Sequence, residues 1–215
     1  MISLPRLYAI LDISCFSGAE GLLLTAEELV AAGVSLIQYR NKSGEAQIIL
    51  AQARELRACL RARPPAPHMP RPHLPRLIMN DRSDLCLAVE FDGVHLGQED
   101  LSPDSARKVI GPERWLGVST HTPQQVIEAD QTSADYIAIG PVFATGSKAN
   151  PDPVIGLAGV RQARSLTRQP LVAIGGITRD NCRSVIEAGA DSVAVISDLI
   201  RDPRKSAEEF LHILG

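Results

Sequence analysis

Residues 188–197 read "AGADSVAVIS". A small Ala-Gly pair, suited to the end of a helix, passes through Asp191 into a β-branched apolar run. The same joint recurs at 32–37, "AGVSLI", and at 133–139, "SADYIAI". Gly33 and Gly189 fit the position just past a helix, where left-handed backbone is needed. A helix that hands over repeatedly to a buried strand implies parallel strands joined by helical crossovers.

Working outward, eight strand candidates appear: 7–12, 34–40, 76–81, 93–97, 115–120, 136–140, 171–176 and 192–197. Most are nearly continuous hydrophobics, as expected of strands covered on both faces. Helical patterns such as "TAEELVAAG", "EAQIILAQARELRACL", "SPDSARKVI", "TPQQVIEA" and "NCRSVIEAG" lie between most of them. Ser102-Pro103 is a helix start, a capping residue followed by proline in the first turn. Eight such units closing on themselves make a (β/α)8 TIM barrel. An open doubly wound sheet accommodates eight strands less well.

The chain has 215 residues, enough for one sizeable core and somewhat short for two comfortable domains. A single catalytic domain over 1–215 is expected. One segment breaks the rhythm: "RARPPAPHMPRPHLPR" (61–76) is too proline-rich for helix and reads as an extended insert at about 62–75. Its histidines, His68 and His73, fit a solvent-facing loop better than a metal site.

Net charge is −3, so no global basic field attracts nucleic acid. No apolar run reaches the roughly 20 residues that span a bilayer. The first residues, "MISLPRLYAILDIS", do not read as a signal peptide. Cys15, Cys59, Cys86 and Cys182 lack C-x-x-C spacing and read as reduced thiols of a cytoplasmic protein. Small-molecule substrates are the expected partners, with no nucleic acid and no membrane; a homo-oligomer stays open.

In a barrel of this kind, chemistry gathers where strands end. Strand two ends in Gln38, Arg40 and Lys42, strand three in Asn80-Asp81, and strand four runs into Gln98, Glu99 and Asp100. Strand five ends "STHT", and strand six opens "GPVFATGSKAN" (140–150). That last stretch resembles a phosphate-binding P-loop, but the order Gly146-Ser147-Lys148 is wrong and its spacing one residue too long. Strand seven ends Gly175-Gly176 and strand eight Ile196-Ser197.

Asp81 or Asp100 alone reads as a helix or turn cap. Together, beside Arg40 and Lys42, they read as hard oxygen ligands of one Mg²⁺ that also takes a phosphate oxygen. Arg40 and Lys42 alternate and so share a face. They suit a diphosphate, arginine by a bidentate fork and lysine as a point charge. Lys148 adds a third cation. The glycines after strand seven and the end of strand eight suggest a second, backbone-built anion site. Glu99 reads as structural and His95 as a satisfied core histidine; His121 is open.

The segments "QYRNK", "IMNDR", "GVHLGQEDL", "GVSTHT", "DYIAIGPVFATGSK" and "VAIGGIT…AGADSVAVIS" together resemble the thiamine phosphate synthase (thiamine-phosphate pyrophosphorylase) family, in family order over nearly the whole chain. The resemblance implies a transferase of thiamine biosynthesis. It joins 4-amino-5-hydroxymethyl-2-methylpyrimidine diphosphate to 4-methyl-5-hydroxyethylthiazole phosphate, giving thiamine phosphate and pyrophosphate by a dissociative, Mg²⁺-assisted substitution. It implies pyrimidine diphosphate contacts from Gln38, Tyr39, Arg40, Asn41, Lys42, Asn80, Ser119 and Lys148, of which Arg40, Lys42, Ser119 and Lys148 would be catalytic. Asp81 and Asp100 would hold Mg²⁺. Thr145, Gly146, Ser147, Gly176, Ile196 and Ser197 would hold the thiazole phosphate.

Two departures are visible. "QYRNK" stands for a commoner "Q-L-R-E-K" run, and "ATGSK" for "P-T-x-T-K"; neither removes a proposed ligand. The rival readings are a thiazole tautomerase-like relative of the same fold, which would lack the full diphosphate and metal set, and a non-catalytic thiazole phosphate-binding protein, which would not need one.

Overall fold

The computed structural model describes residues 2–62, 74–146 and 152–215. Eight parallel strands close into a barrel in sequence order. They are β1 (Leu7–Asp12), β2 (Leu36–Arg40), β3 (Arg76–Asn80), β4 (Gly93–Leu96), β5 (Trp115–Thr120), β6 (Tyr136–Ile139), β7 (Leu171–Ile174) and β8 (Ser192–Val195). The helices around them are α1 (Ala19–Ala31), α2 (Ala46–Ala62), α3 (Ser83–Ala88), α4 (Pro103–Ile110), α5 (Pro123–Asp130), α6 (Gly156–Leu166), α7 (Cys182–Glu187) and α8 (Pro203–Leu214). Short 3₁₀ turns occupy Ile13–Cys15 and Ser197–Leu199. The closed barrel is the expected fold. The Pro-rich insert falls largely outside the described residues.

Period-two alternation divides each strand between two cores. Outward residues such as Leu7, Ala9, Leu11, Ile37, Tyr39, Leu77, Met79 and Val193 pack against helices. Inward residues, including Tyr8, Leu36, Ile78, Trp115, Tyr136 and Val172, fill the barrel. Helix α2 supplies Ile49, Ala53, Leu56 and Leu60 to the outer core, one face at helical spacing. Helix α5 starts with a full capping box, Thr122 and Gln125 exchanging bonds, behind Pro123. Ser102 caps α4 through the Ser105 amide, as its sequence suggests.

The recurring joint has two parts. After α1, Gly33 takes φ 104° and the Val34 amide donates 3.0 Å to the Leu29 carbonyl; after α7, Gly189 takes φ 112° and Ala190 donates to Val185. These are left-handed helix caps. The first cap uses Val34, so β2 starts at Leu36, two residues later than its apolar run. Aspartate then ties the strand to its neighbour. Asp92, Asp135 and Asp191 accept the amides of Leu77, Leu116 and Leu171, each at 2.8 Å. Strands β7 and β8 end early because the glycines after Ile174 take φ 93° and 65°, and Ile196 turns into the 3₁₀ turn.

Candidate active site

Inward residues at the C-terminal ends of β1–β5 converge. Arg40, the last residue of β2, lies in register with Asp12, the last residue of β1, and its guanidinium pairs with that buried carboxylate. Asp12 also accepts the Ser14 amide at 3.0 Å and its hydroxyl at 2.7 Å. The carboxylate thus fixes the arginine's direction. Asp12 is absent from the sequence-level site; the one charged residue of an apolar strand, standing at its end, was the available signal.

Lys42 is exposed and reaches Asp81 at 3.3 Å. Asp81 has φ 62°, and its amide donates 2.8 Å to the His95 carbonyl. Asp100 lies against the Asp81 carboxyl. Burial pushes the Asp81 pKa up to about 6; a hydrogen bond and repulsion from Asp100 add to that shift, and Lys42 opposes it. Asp100 also accepts the Gly97 amide, at 2.7 Å, which closes its own turn. Asn80, beside Asp81, has a buried side-chain nitrogen with no hydrogen-bond partner among the described residues. A buried orphan donor at a strand end is suited to a ligand acceptor.

Gln38 points into the barrel and donates 2.8 Å to the Tyr8 hydroxyl. Ser119 stands at the end of β5, half-buried, with its hydroxyl 2.8 Å from His95 Nε2. The His95 Nδ1 lies 3.1 Å from the Tyr136 hydroxyl. His95 is therefore a buried, satisfied histidine, as its place inside a strand suggests, and burial pushes its pKa down to about 4. Exposed Gln98 donates 2.6 Å to the Ser119 carbonyl, tying the β4 and β5 exits together.

Two expected contacts are not brought to this site. Tyr39 faces away from the barrel interior, packed in the outer core with its hydroxyl donating 2.6 Å to Gln52 of α2. Period-two alternation between Gln38 and Arg40 requires this. The Asn41 side chain accepts the amides of Ser43 and Gly44 and donates to Gln52, so it shapes the β2–α2 turn.

Across the barrel, Gly176 has φ 65°, and a Cβ there would lie 2.5 Å from the Ala144 carbonyl oxygen. Its close backbone approach is thus to the loop after β6. Val142 and Phe143 donate to Ile174 and Gly175 at 2.8 and 3.0 Å, extending the β6–β7 pairing. Thr145 is half-buried and Gly146 exposed on that loop. Ile196 is half-buried, and Ser197 opens the 3₁₀ turn after β8. Ser147 and Lys148 lie outside the described residues. His121 is turned out of the barrel: Nδ1 meets the Gly140 carbonyl at 2.6 Å, Nε2 lies 3.5 Å from Asp152, and the ring lines a cavity with Val126, Ile155 and Gly159.

Residues 7–199 match the family model described as thiamine monophosphate synthase. A thiamine-phosphate synthase of Koribacter versatilis is 59% identical over 217 residues, covering 99% of this chain and 97% of the relative. That of Shouchella clausii is 38% identical, covering 96% and 94%. Among solved structures, thiamine phosphate pyrophosphorylase from Pyrococcus furiosus superposes with a TM-score of 0.81 at 33% identity, over 97% of this chain and 95% of the other.

Proposed function

The chain belongs to the thiamine monophosphate synthase family, and we propose that it joins 4-amino-5-hydroxymethyl-2-methylpyrimidine diphosphate to 4-methyl-5-hydroxyethylthiazole phosphate, releasing thiamine phosphate and pyrophosphate. One observation carries this reading. A tethered arginine, a lysine, an orphaned amide and two adjacent carboxylates converge at the ends of β2–β4. That combination suits a diphosphate with a divalent ion, and no nucleophile–base pair is required.

Asp81 and Asp100 are assigned to Mg²⁺. Their fit is electrostatic: two neighbouring hard oxygen donors, one with its pKa raised, are costly to ionise together without a cation. When bound, Mg²⁺ supplies Lewis-acid neutralisation of the leaving diphosphate.

The chain's own residues hold the remaining charge. Arg40, fixed by Asp12, offers its planar fork to phosphate oxygens. Lys42 adds a point charge beside Asp81, and Lys148 is assigned a third from its sequence position. Asn80 offers a side-chain amide that is unpaired among the described residues, Gln38 orients the pyrimidine end, and Ser119 offers its hydroxyl to the same substrate. The methylene C–O bond breaks, and its electron pair leaves on pyrophosphate. The electron-rich aminopyrimidine supports the resulting cation until the thiazole nitrogen donates its pair. Charge on the departing group is what these donors stabilise. Thr145, Gly146, Ser147, Gly176, Ile196 and Ser197 are assigned to the thiazole phosphate, in the loops after β6–β8 where such barrels build phosphate sites. Four cysteines outside any disulfide support a reducing, cytoplasmic setting.

The test is thiamine phosphate formation from the two purified substrates. Product should form only with both substrates and Mg²⁺. No product under any condition would overturn the reaction; full turnover in excess chelator would overturn the metal assignment alone.

A further inference from the structure

A line of hydrogen bonds crosses the barrel beneath the rim. It runs from Gln38 on β2 through Tyr8 on β1, Tyr136 on β6 and His95 on β4 to Ser119 on β5. Its links measure 2.8, 3.1, 3.1 and 2.8 Å. Tyr8, Tyr136 and His95 are almost wholly shielded from solvent. The line joins two residues assigned to the pyrimidine diphosphate, and its three central members have no role in the reaction as described. The rings also touch: Tyr8 meets Tyr136 edge-on, and His95 stacks on Tyr136 with centroids 5.5 Å apart. Gly117 makes the room, since a Cβ there would lie 2.1 Å from the Tyr136 ring.

Counting protons gives the line a direction. Each tyrosine hydroxyl has one proton to donate. Gln38 donates to Tyr8; if Tyr8 donates in turn to Tyr136, then Tyr136 donates to His95 Nδ1. An Nδ1 that accepts leaves the proton of a neutral imidazole on Nε2, which then donates to the Ser119 oxygen. The Ser119 hydroxyl proton is thereby free to point into the mouth of the barrel. Run in reverse from Ser119, the protons meet at Tyr8. That hydroxyl would then accept from both Gln38 and Tyr136 and have no acceptor for its own proton, a buried loss. Reversal would also turn the lone pairs of Ser119 toward an anionic substrate.

We propose that Tyr8, Tyr136 and His95 are positioning residues that hold His95 in its Nε2–H tautomer, and so commit the Ser119 hydroxyl to donate to the pyrimidine diphosphate. This rests on the assignment of Ser119 as a substrate contact. The relay acts in the free protein, before any ligand binds, and removes the need to reorient the hydroxyl during the reaction.

The first measurement is independent of activity. Histidine ¹⁵N shifts of the full-length protein, with the His95 pair identified by its absence in His95→Gln, should show a protonated Nε2 and a bare Nδ1. A protonated Nδ1, or both nitrogens protonated at neutral pH, would overturn the proposal even if thiamine phosphate is made. The second is a double-mutant cycle. Ser119→Ala should lower kcat about 10²-fold, the scale of losing one oriented donor. Tyr136→Phe should lower it about 10-fold alone but less than about 2-fold in the Ser119→Ala background, because it acts through that hydroxyl. The KM for the thiazole phosphate should not move. Independent, additive losses would show that Tyr136 only supports the barrel. Should Tyr136→Phe fold poorly, Tyr8→Phe removes the preceding link and is read the same way. A protein with the predicted tautomer that forms no thiamine phosphate would refute the reaction and leave the relay standing.

Discussion

Asp81 holds left-handed backbone, a raised pKa and a lysine partner at once. Such local cost is typical of residues placed for function. Asparagine adopts the same backbone and carries no charge. In the absence of Mg²⁺, Asp81→Asn should therefore raise stability at pH 7 by about 1 kcal/mol, the full shift being discounted for solvent screening. The same change should weaken Mg²⁺ activation at least about 10-fold, the scale set by disturbing metal-site groups. Urea unfolding and a Mg²⁺ titration of turnover measure the two. Asp12 gives the opposite pattern. Its carboxylate pairs with Arg40 and closes the turn at Ser14, so Asp12→Asn should destabilise the protein by about 1.5–3 kcal/mol, the range for bonds to charged groups. It should also raise KM for the pyrimidine diphosphate while leaving that for the thiazole phosphate unchanged. A fall in stability with both KM values intact would make Asp12 purely structural.

At the scale of elements, the strands carry two messages on alternate residues. On β2, Gln38 and Arg40 face the site while Ile37 and Tyr39 face the helices. A contiguous motif such as "QYRNK" hides this division, which is why Tyr39 and Asn41 fall outside the site that Gln38, Arg40 and Lys42 help to form. On β5, Gly117 leaves space that the Tyr136 ring of β6 fills. Gly117→Ala should cost about 1–3 kcal/mol by overpacking and displace Tyr136 from His95. Thermal unfolding should show the loss; an unchanged Tm would mean that the barrel breathes enough to admit a methyl group. Helix α5 is fixed by its capping box instead, and Thr122→Ala should cost about 1 kcal/mol without changing KM for either substrate.

For the whole molecule, a buried histidine and a half-buried aspartate set opposing pH dependences. Burial depresses the folded pKa of His95 to about 4, below the ordinary histidine value of about 6.5. Between these limits the unfolded chain binds more protons, so this residue's contribution to stability rises with pH. The folded pKa of Asp81 is raised to about 6 from 3.8, so between those limits the native state binds more protons and stability falls with pH. Across roughly pH 4–6 the two slopes offset each other. Without metal, Asp81→Asn should thus steepen the pH dependence by about 0.5 kcal/mol per pH unit in that window, the same screened total of about 1 kcal/mol. The variant and parent should be nearly equal in stability at pH 4 and separate as pH rises to 6. Parallel stability–pH curves would refute the raised Asp81 pKa.

The eightfold rhythm of buried strands and amphipathic helices determines the barrel from sequence alone, because hydrophobic period and helix-end glycines act over a few residues. It also determines which residues stand at strand ends, so Arg40, Asn80, Asp81 and Asp100 were legible as candidates. Tertiary structure decides what local pattern cannot encode. It pairs Asp12 with Arg40, 28 residues away, and brings Tyr8, Tyr136 and His95 into one line with Gln38 and Ser119. It also turns His121 toward the Gly140 carbonyl and out of the barrel. That line depends on barrel closure, which brings β1 beside β8 and sets opposite strands face to face across the interior. A hydrogen-bond line across that interior has no sequence period, because its members come from five different strands and meet only once the barrel is closed.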